Sequence, residues 1–214
     1  ITVDRNGRYL VTDVYKTRDL VYVYSETGQY QFSFGSEGRI STPMGICVYS
    51  SGNILVFVAD TFNRRVQVFN MEGVYLRKFP TVVSVEGSET MNPYDMSIDG
   101  KGHLWVIGQT VSLELILMQA VNRTITKVTF GGRGSKAGRF SGLNNAAVSP
   151  SNEIFVADTL NRTVQVFNME GAYLRKFPTV VLGGEGRISM PVGIYVDSSG
   201  NILVADEYDS SVEM

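Results

Sequence analysis

One segment of this chain occurs twice with a single substitution. VQVFNMEGVYLRKFPTVV at 66–83 returns as VQVFNMEGAYLRKFPTVV at 164–181, with Ala172 in the place of Val74. Self-similarity at a fixed spacing is the sequence signature of repeat architectures, and it constrains the fold before any residue-level pattern does. The copy also poses a question, because a duplicated segment can be either a duplicated site or a duplicated piece of scaffold.

A recurring aspartate marks the period of the repeat. VTD ends at Asp13 and VAD ends at Asp60, Asp158 and Asp206, at intervals of 47, 98 and 48 residues. The long interval reads as two periods, with Ile107 of HLWVIGQT in the position of the missing aspartate. The pattern therefore predicts five repeats, at about 1–35, 36–83, 84–131, 132–181 and 182–214.

Each repeat has the composition of short strands separated by tight turns. In repeat two, GICVYS, ILVFVAD, RVQVFN and VYLRKFP are rich in β-branched and aromatic residues, and Gln67 alternates with valines. The Ser-Gly-Asn and Met-Glu-Gly turns supply glycine where a hairpin needs positive φ. Four antiparallel strands that recur every ~40–50 residues predict an all-β chain, a single β-propeller domain over residues 1–214.

Composition narrows the possible partners and the compartment. The chain is 43% hydrophobic and 19% charged, which is typical of a globular domain with a sizeable core. Its net charge of −2 argues against binding nucleic acid by overall charge, although a local basic patch is invisible to that sum. Cys47 is the single cysteine, so an intramolecular disulfide is impossible and a reducing, cytoplasmic setting is expected. No apolar run approaches the length of a membrane helix.

Two segments carry a family resemblance. Residues 60–69, DTFNRRVQVF, and residues 158–167, DTLNRTVQVF, together with PMGI at 43–46 and PVGI at 191–194, resemble the NHL repeat family. The resemblance spans most of the chain and is weakest in repeat three. It is closest in style to the C-terminal NHL domain of tripartite-motif (TRIM) proteins. It implies a propeller, usually of six blades, that recruits proteins or binds RNA, while a separate RING segment performs ubiquitin transfer.

The last repeat departs from the family pattern. It stops at 211–214, within its expected third strand, and repeat one begins at its first strand. The sequence is therefore consistent with a truncated or excised six-bladed propeller, or with a five-bladed ring closed without an interlocking strand. An unpaired sheet edge invites pairing with another chain, so self-association is expected to be possible.

The loops after the second strands are the candidate partner-binding site. These loops and the connectors between repeats are expected to share one face. Two residues after each marker stand Tyr15, Phe62, Leu160 and Tyr208, with Gln109 in repeat three. Such side chains either anchor a peptide or stack on bases, or they pack against the neighbouring blade. The predicted partner-binding residues are Tyr15, Phe62, Arg64, Arg65, Leu160, Arg162 and Tyr208.

Single-stranded RNA is the alternative partner. The glycine-rich connector GGRGSKAGR concentrates positive charge next to repeat four, and it can equally be a solvated charged loop. Its GGRG opening lacks the spacing and the following helix of a phosphate-binding loop. The predicted RNA-binding residues are Arg133, Lys136, Arg139, Arg162 and Arg187.

Catalysis is not expected of this chain. His103 is the single histidine and Cys47 the single cysteine, so neither a zinc site nor a Ser/His/Asp triad can be assembled convincingly. The acids Asp4, Asp99 and Asp197 at first-strand ends keep a calcium-dependent hydrolase as a further alternative.

The remaining recurring polar residues have structural explanations. The marker aspartates are expected to cap the following turn by accepting backbone N–H bonds. Asn63 and Asn161 are expected to occupy its left-handed position. The sequence thus predicts a non-catalytic recognition domain with no catalytic residue, metal or cofactor.

Overall fold

The computed structural model describes residues 1–14, 19–36, 40–49, 55–82, 89–99, 102–110, 115–121, 124–178, 190–197, 199–206 and 212–213. The chain divides into two compact units. Unit 1 comprises residues 1–98 and 108–110, and unit 2 comprises residues 99–107 and 111–214.

The described residues form strands and turns without any helix. This confirms the predicted all-β class. The strands are β1 (Thr2–Val3), β2 (Tyr9–Asp13), β3 (Leu20–Tyr24), β4 (Tyr30–Phe34), β5 (Pro43–Tyr49), β6 (Leu55–Asp60), β7 (Arg65–Phe69), β8 (Tyr75–Pro80), β9 (Asn92–Ile98), β10 (Leu104–Gln109), β11 (Leu115–Val121), β12 (Thr124–Phe130), β13 (Leu143–Val148), β14 (Glu153–Asp158), β15 (Thr163–Asn168), β16 (Tyr173–Pro178), β17 (Pro191–Val196), β18 (Ile202–Asp206) and β19 (Val212–Glu213).

Strand order in the sheets follows the chain. Unit 1 contains the four-stranded sheets β1-β2-β3-β4 and β5-β6-β7-β8, and unit 2 contains β13-β14-β15-β16 and the three-stranded β17-β18-β19. The paired strands run antiparallel, including β11 with β12 in unit 2. Meander sheets of this kind are the blades of a propeller.

The duplicated segment forms the third and fourth strands of two blades. β7 pairs with β8, and β15 pairs with β16, in the same register and with a register shift at the same place. In both hairpins the asparagine side chain accepts the N–H groups two and four residues on, at 3.1 and 2.8 Å, for Asn70 and for Asn168. Gly73 and Gly171 have φ of 79° and 80°, as the turn chemistry predicted.

The second strands β6, β10 and β14 are buried on both faces, which explains their nearly continuous apolar sequences. In unit 2, Ile154 and Val156 of β14 pack in one cluster with Phe167, and Phe155 and Ala157 pack in a second. Burying one such aliphatic or aromatic side chain contributes about 1.5–3 kcal/mol. The two faces of β14 therefore join its blade to the neighbouring elements of unit 2.

In repeat three, the predicted position of the marker, Ile107, is wrong by one residue. The hairpin bond from Asp99 N to His103 O matches those from Ser149 N to Glu153 O and from Asp197 N to Asn201 O. Counting onward from these hairpins places Gly108, and not Ile107, in the position of the marker aspartate. A Cβ on Gly108 would collide with the Asn92 carbonyl oxygen, so this position has no room for any side chain.

The glycines of the two Pro-x-Gly-Ile motifs offer a test of this packing. A Cβ at Gly45 would lie 2.5 Å from Asp95 Cα and 2.8 Å from the Tyr94 carbonyl oxygen, both rigid backbone atoms. A Cβ at Gly193 would meet the Ala205 Cβ at 3.2 Å. We expect Gly45→Ala to lower the free energy of unfolding by about 2–3 kcal/mol more than Gly193→Ala. Urea denaturation followed by circular dichroism measures both losses, and equal losses would contradict the close approach of β5 to β9.

Candidate functional site

A buried carboxylate organises the turn after the second strand in unit 1. Asp60 is fully buried at the end of β6. Its Oδ1 accepts the backbone N–H of Ser41 at 2.7 Å and the Asn63 amide at 2.8 Å. Its Oδ2 accepts Arg65 Nε at 2.5 Å and Gln67 Nε2 at 2.7 Å. One carboxylate thus joins the preceding connector, the turn and the third strand.

Unit 2 repeats this arrangement around Asp158. Its Oδ1 accepts the Ser141 N–H at 2.7 Å, and its Oδ2 accepts Asn161 Nδ2 at 2.7 Å and Gln165 Nε2 at 2.8 Å. The marker of repeat five also accepts a connector N–H, from Met190 to Asp206 at 3.1 Å. The carboxylate-to-connector bond is therefore common to three repeats.

Two expectations about this turn need correction. The marker aspartates do accept backbone N–H bonds, but the donors lie in the connector before the first strand and not in the turn itself. The left-handed positions belong to Arg64 and Arg162, with φ of 50° and 56°, and not to the asparagines. Asn63 and Asn161 instead aim their amides at the carboxylate, which fixes the turn through a side chain.

The threonine after the markers of repeats two and four joins successive blades within each unit. Thr61 Oγ1 donates to the Pro93 carbonyl at 2.6 Å, and Thr159 Oγ1 donates to the Pro191 carbonyl at 2.7 Å. Both threonines are buried. Sequence reasoning did not single out these threonines or the glutamines Gln67 and Gln165. Their identity in both copies of the DTxNRxVQVF motif was the available signal.

The apolar residue at the tip of each turn is exposed. Phe62 is 72% and Leu160 63% exposed, so within their own units neither is buried against a neighbouring blade. Arg64 and Arg162 beside them are also exposed, and Arg64 reaches Thr90 Oγ1 at 3.2 Å. Arg65 differs, because its Nε is engaged with Asp60. Tyr15, Tyr208 and Arg187 lie outside the described residues.

The basic connector of unit 2, residues 131–142, is hydrogen-bonded to its blade. Gln165 donates to the Arg139 carbonyl at 2.6 Å and accepts the Gly138 N–H at 2.9 Å. Asn161 Nδ2 donates to the Gly134 carbonyl at 2.9 Å, and Phe140 is buried at the end of the connector. The side chains of Arg133, Lys136 and Arg139 nevertheless remain exposed. The connector is thus a hydrogen-bonded platform that displays cations.

The two copied turns differ in how their carboxylate is neutralised. Arg65 of unit 1 is replaced by Thr163 in unit 2, and the Thr163 hydroxyl is buried with no hydrogen-bond partner among the described residues. Burial raises the pKa of the Asp158 carboxyl above its ordinary value, even though hydrogen bonds from Ser141, Asn161 and Gln165 oppose the rise. The substitution at 163 therefore leaves a buried acid without a directly bonded cation.

The acids kept for a calcium site serve their own hairpins. Asp4 Oδ1 accepts the N–H groups of Asn6 and Arg8, and Asp197 Oδ1 accepts those of Ser199 and Asn201. Burial opposes ionisation of Asp4, but hydrogen bonds from Arg8 hold the pKa of its carboxyl below the ordinary value. These carboxylates are committed to turn formation.

The residues with catalytic potential are likewise occupied. Asp99 Oδ2 accepts Trp105 Nε1 at 2.9 Å and lies 2.8 Å from His103 Nδ1. Cys47 is buried in β5, and that burial, reinforced by the Asp95 charge, raises the pKa of its thiol. Among the described residues, no three His, Cys, Asp or Glu side chains converge as a metal site requires. That part of the chain also has no helix long and apolar enough to cross a bilayer.

Comparison with known proteins supports the repeat and the fold. The NHL repeat model matches residues 189–213. NHL repeat-containing protein 2 of Homo sapiens is 22% identical over 285 aligned positions, which cover 100% of this chain and 38% of that protein. The Bos taurus protein of the same name is also 22% identical, with the same coverage. The chain thus spans 38% of the length of the curated relatives it matches.

Solved structures confirm the β-propeller architecture. A streptogramin B lyase structure superimposes with a TM-score of 0.65 at 14% identity, over 99% of this chain and 66% of that one. The Cps50 (Swd1) β-propeller domain of Myceliophteria thermophila gives a TM-score of 0.63 at 10% identity, over 96% of this chain and 61% of that one. At these identities the likeness concerns the fold alone.

The unpaired acid of unit 2 gives a pH-dependent prediction. Because the folded pKa of Asp158 is raised, its contribution to stability falls as the pH rises from the ordinary aspartate value of about 3.9 through the folded value. Thr163→Arg copies Arg65 and should lower that pKa. We expect the variant to exceed the wild type in free energy of unfolding by about 1–2 kcal/mol at neutral pH, with the difference vanishing in acid.

Denaturant titrations of both proteins across this pH range measure the difference. Arg65→Thr is the matched control, since it removes the ion pair from Asp60 and should destabilise unit 1 at neutral pH. A Thr163→Arg effect that is independent of pH would show that packing, and not charge, governs the site.

Proposed function

We propose that this propeller is a non-catalytic recognition module that binds a protein partner through its DTxNR turns. The proposal rests on the exposure of Phe62 and Leu160 at the tips of the turns, while the carboxylates that hold those turns, Asp60 and Asp158, are fully buried. A large apolar side chain that costs little to order is what a binding hot spot requires. The NHL repeat and the NHL repeat-containing relatives support an interaction role.

The turn is rigid before any partner arrives. The Asp60 carboxylate accepts the Ser41, Asn63, Arg65 and Gln67 donors, and the Arg64 N–H closes the turn on the Thr61 carbonyl at 3.1 Å. Phe62 therefore has its backbone fixed, and binding would order only its side chain. Pre-organisation of this kind leaves more of the contact energy for affinity.

Selection from a phage-displayed library of random dodecapeptides tests this function. We expect peptides enriched on the chain to lose about tenfold or more in affinity with Phe62→Ser or Leu160→Ser, because each removes an apolar anchor. Fluorescence anisotropy of synthetic copies of the selected peptides measures the change.

Apolar residues on the outer hairpins provide the matched controls. Val74 is 53% and Leu174 45% exposed, yet both lie in the duplicated outer segment. Val74→Ser and Leu174→Ser should leave the affinity of the selected peptides unchanged, and thermal melts should show all four variants folded. Failure to enrich any peptide, or equal losses in turn and control variants, would refute recognition by the turns.

Single-stranded RNA remains the alternative partner, favoured by one observation. Arg133, Lys136 and Arg139 are displayed on a hydrogen-bonded connector, next to Arg162, and the fifth predicted residue, Arg187, lies outside the described residues. Non-specific single-strand binding also uses aromatic side chains on which bases stack. Phe140 of this connector is buried and unavailable for stacking, so the alternative depends on charge alone.

We also propose the larger context implied by the sequence resemblance. In that proposal the propeller is the substrate-recruiting end of a cytoplasmic TRIM-type ubiquitin ligase, and the edge of the three-stranded sheet β17-β18-β19 permits self-association. The full-length gene is expected to encode RING and B-box segments upstream. A full-length gene without them would remove the ligase context while leaving recognition by the turns intact.

A further inference from the structure

We infer that unit 2 recognises an acidic peptide segment that carries an aliphatic side chain. The binding surface, here named the basic turn surface, consists of the connector 131–142 and the turn 159–162. The inference rests on the proposed function and names its partner class for one of the two copied turns. It follows from the continuity, the charge and the exposed residues of this surface.

The connector and the turn form one bonded surface. The Thr159 N–H donates to the Gly142 carbonyl and the Leu160 N–H to the Ser141 carbonyl, both at 2.9 Å. On the other side, Asn161 Nδ2 donates to the Gly134 carbonyl at 2.9 Å. Leu160 is thus held between the two ends of the connector that carries the cations.

The charge of the basic turn surface is of one sign. Its two segments contain Arg133, Lys136, Arg139 and Arg162 and no acidic residue. The neighbouring Asp158 is fully buried under these segments and accepts three hydrogen bonds from the protein, which leaves it hidden from a ligand. A partner that approaches Leu160 therefore meets the cationic side chains of these segments, which attract carboxylates and speed their encounter.

The exposed anchor distinguishes a peptide from a nucleic acid. Leu160 is aliphatic and 63% exposed, while Phe140, the aromatic residue of the surface, is 4% exposed. Bases stack on aromatic faces, whereas an aliphatic anchor packs against apolar side chains. An acidic segment with leucine-like residues satisfies both the charge and the anchor.

Unit 1 carries a different version of the same surface. Its connector, GSEGRIST at 35–42, includes an acid, and its turn presents Phe62 in the place of Leu160. The two copied turns therefore both present an exposed apolar side chain, but their connectors differ in charge. This difference predicts that the acidic preference belongs to unit 2 alone.

The test variants are chosen so that the platform survives. Arg133 and Lys136 are exposed, and the Arg133→Gln/Lys136→Gln double variant removes two charges from the surface. Arg139 is left in place, because its Nη1 donates to the Gly131 carbonyl at 2.5 Å and holds the connector. Arg77→Gln/Lys78→Gln removes the same charge from the exposed outer strand β8 and serves as the matched control.

The experiment uses three fluorescein-labelled synthetic peptides on the whole chain. One repeats Asp-Leu-Glu, the second has the isosteric repeat Asn-Leu-Gln, and the third repeats Asp-Ser-Glu. We expect the first to bind about tenfold or more tightly than either of the others, since each lacks one of the two required features. Leu160→Ser and the Arg133→Gln/Lys136→Gln variant should each reduce this affinity about tenfold, while the β8 control should not.

Each contrary outcome has a distinct meaning. Equal, Leu160-dependent affinity for the acidic and the amide peptide overturns the charge requirement but leaves recognition by the turns standing. Affinity that the β8 control weakens equally overturns the location. Tighter binding of oligouridylate that depends on Arg133 and Lys136 replaces the peptide with RNA. Peptides selected from the library through Phe62, with no binding of the acidic peptide, overturn this inference alone.

Discussion

The buried carboxylate at the end of the second strand is the interaction on which the blades β5-β6-β7-β8 and β13-β14-β15-β16 depend. A buried acid without partners is costly enough that the fold must supply donors, and here they come from three separate parts of the repeat. Around Asp158 the donors are Ser141 in the connector, Asn161 in the turn and Gln165 in the third strand. Satisfying one group therefore fixes the relative positions of all three.

This network gives the duplicated segment a structural role beside the candidate site. Gln67 and Gln165 lie in the duplicated segment, and their amides reach the carboxylate from the third strand. In the same segment the ring centroids of Phe69 and Tyr75 lie 5.9 Å apart, and those of Phe167 and Tyr173 lie 5.8 Å apart. The duplicated segment is scaffold, and its glutamine supports the turn by donating a hydrogen bond to the buried carboxylate. Its repetition preserves the support and leaves the tip free to vary.

The strands and hairpins could be predicted because they obey local rules, whereas the turn depends on contacts distant in sequence. Alternation, β-branched residues and glycine at positive φ are properties of short windows. The left-handed role of Arg162 could not be foreseen, because asparagine ordinarily prefers that conformation and here its amide is needed by Asp158. The ordering of the connector was also hidden, since Gly138 and Gln165 are bonded across a long stretch of chain.

In these turns the residues that provide stability differ from the exposed tip residues that would contact a partner. This separation suits a recognition surface whose specificity varies. The aspartate, threonine and glutamine that hold each turn are buried, so replacing an exposed tip residue changes affinity with little effect on stability. Phe62 and Leu160 are such replacements on equivalent anchors, and their connectors differ in charge. Arg65 and Thr163 show the opposite case, because a change beside the carboxylate alters its neutralisation. Specificity can therefore diverge at the tips and connectors while the buried network keeps these two blades intact.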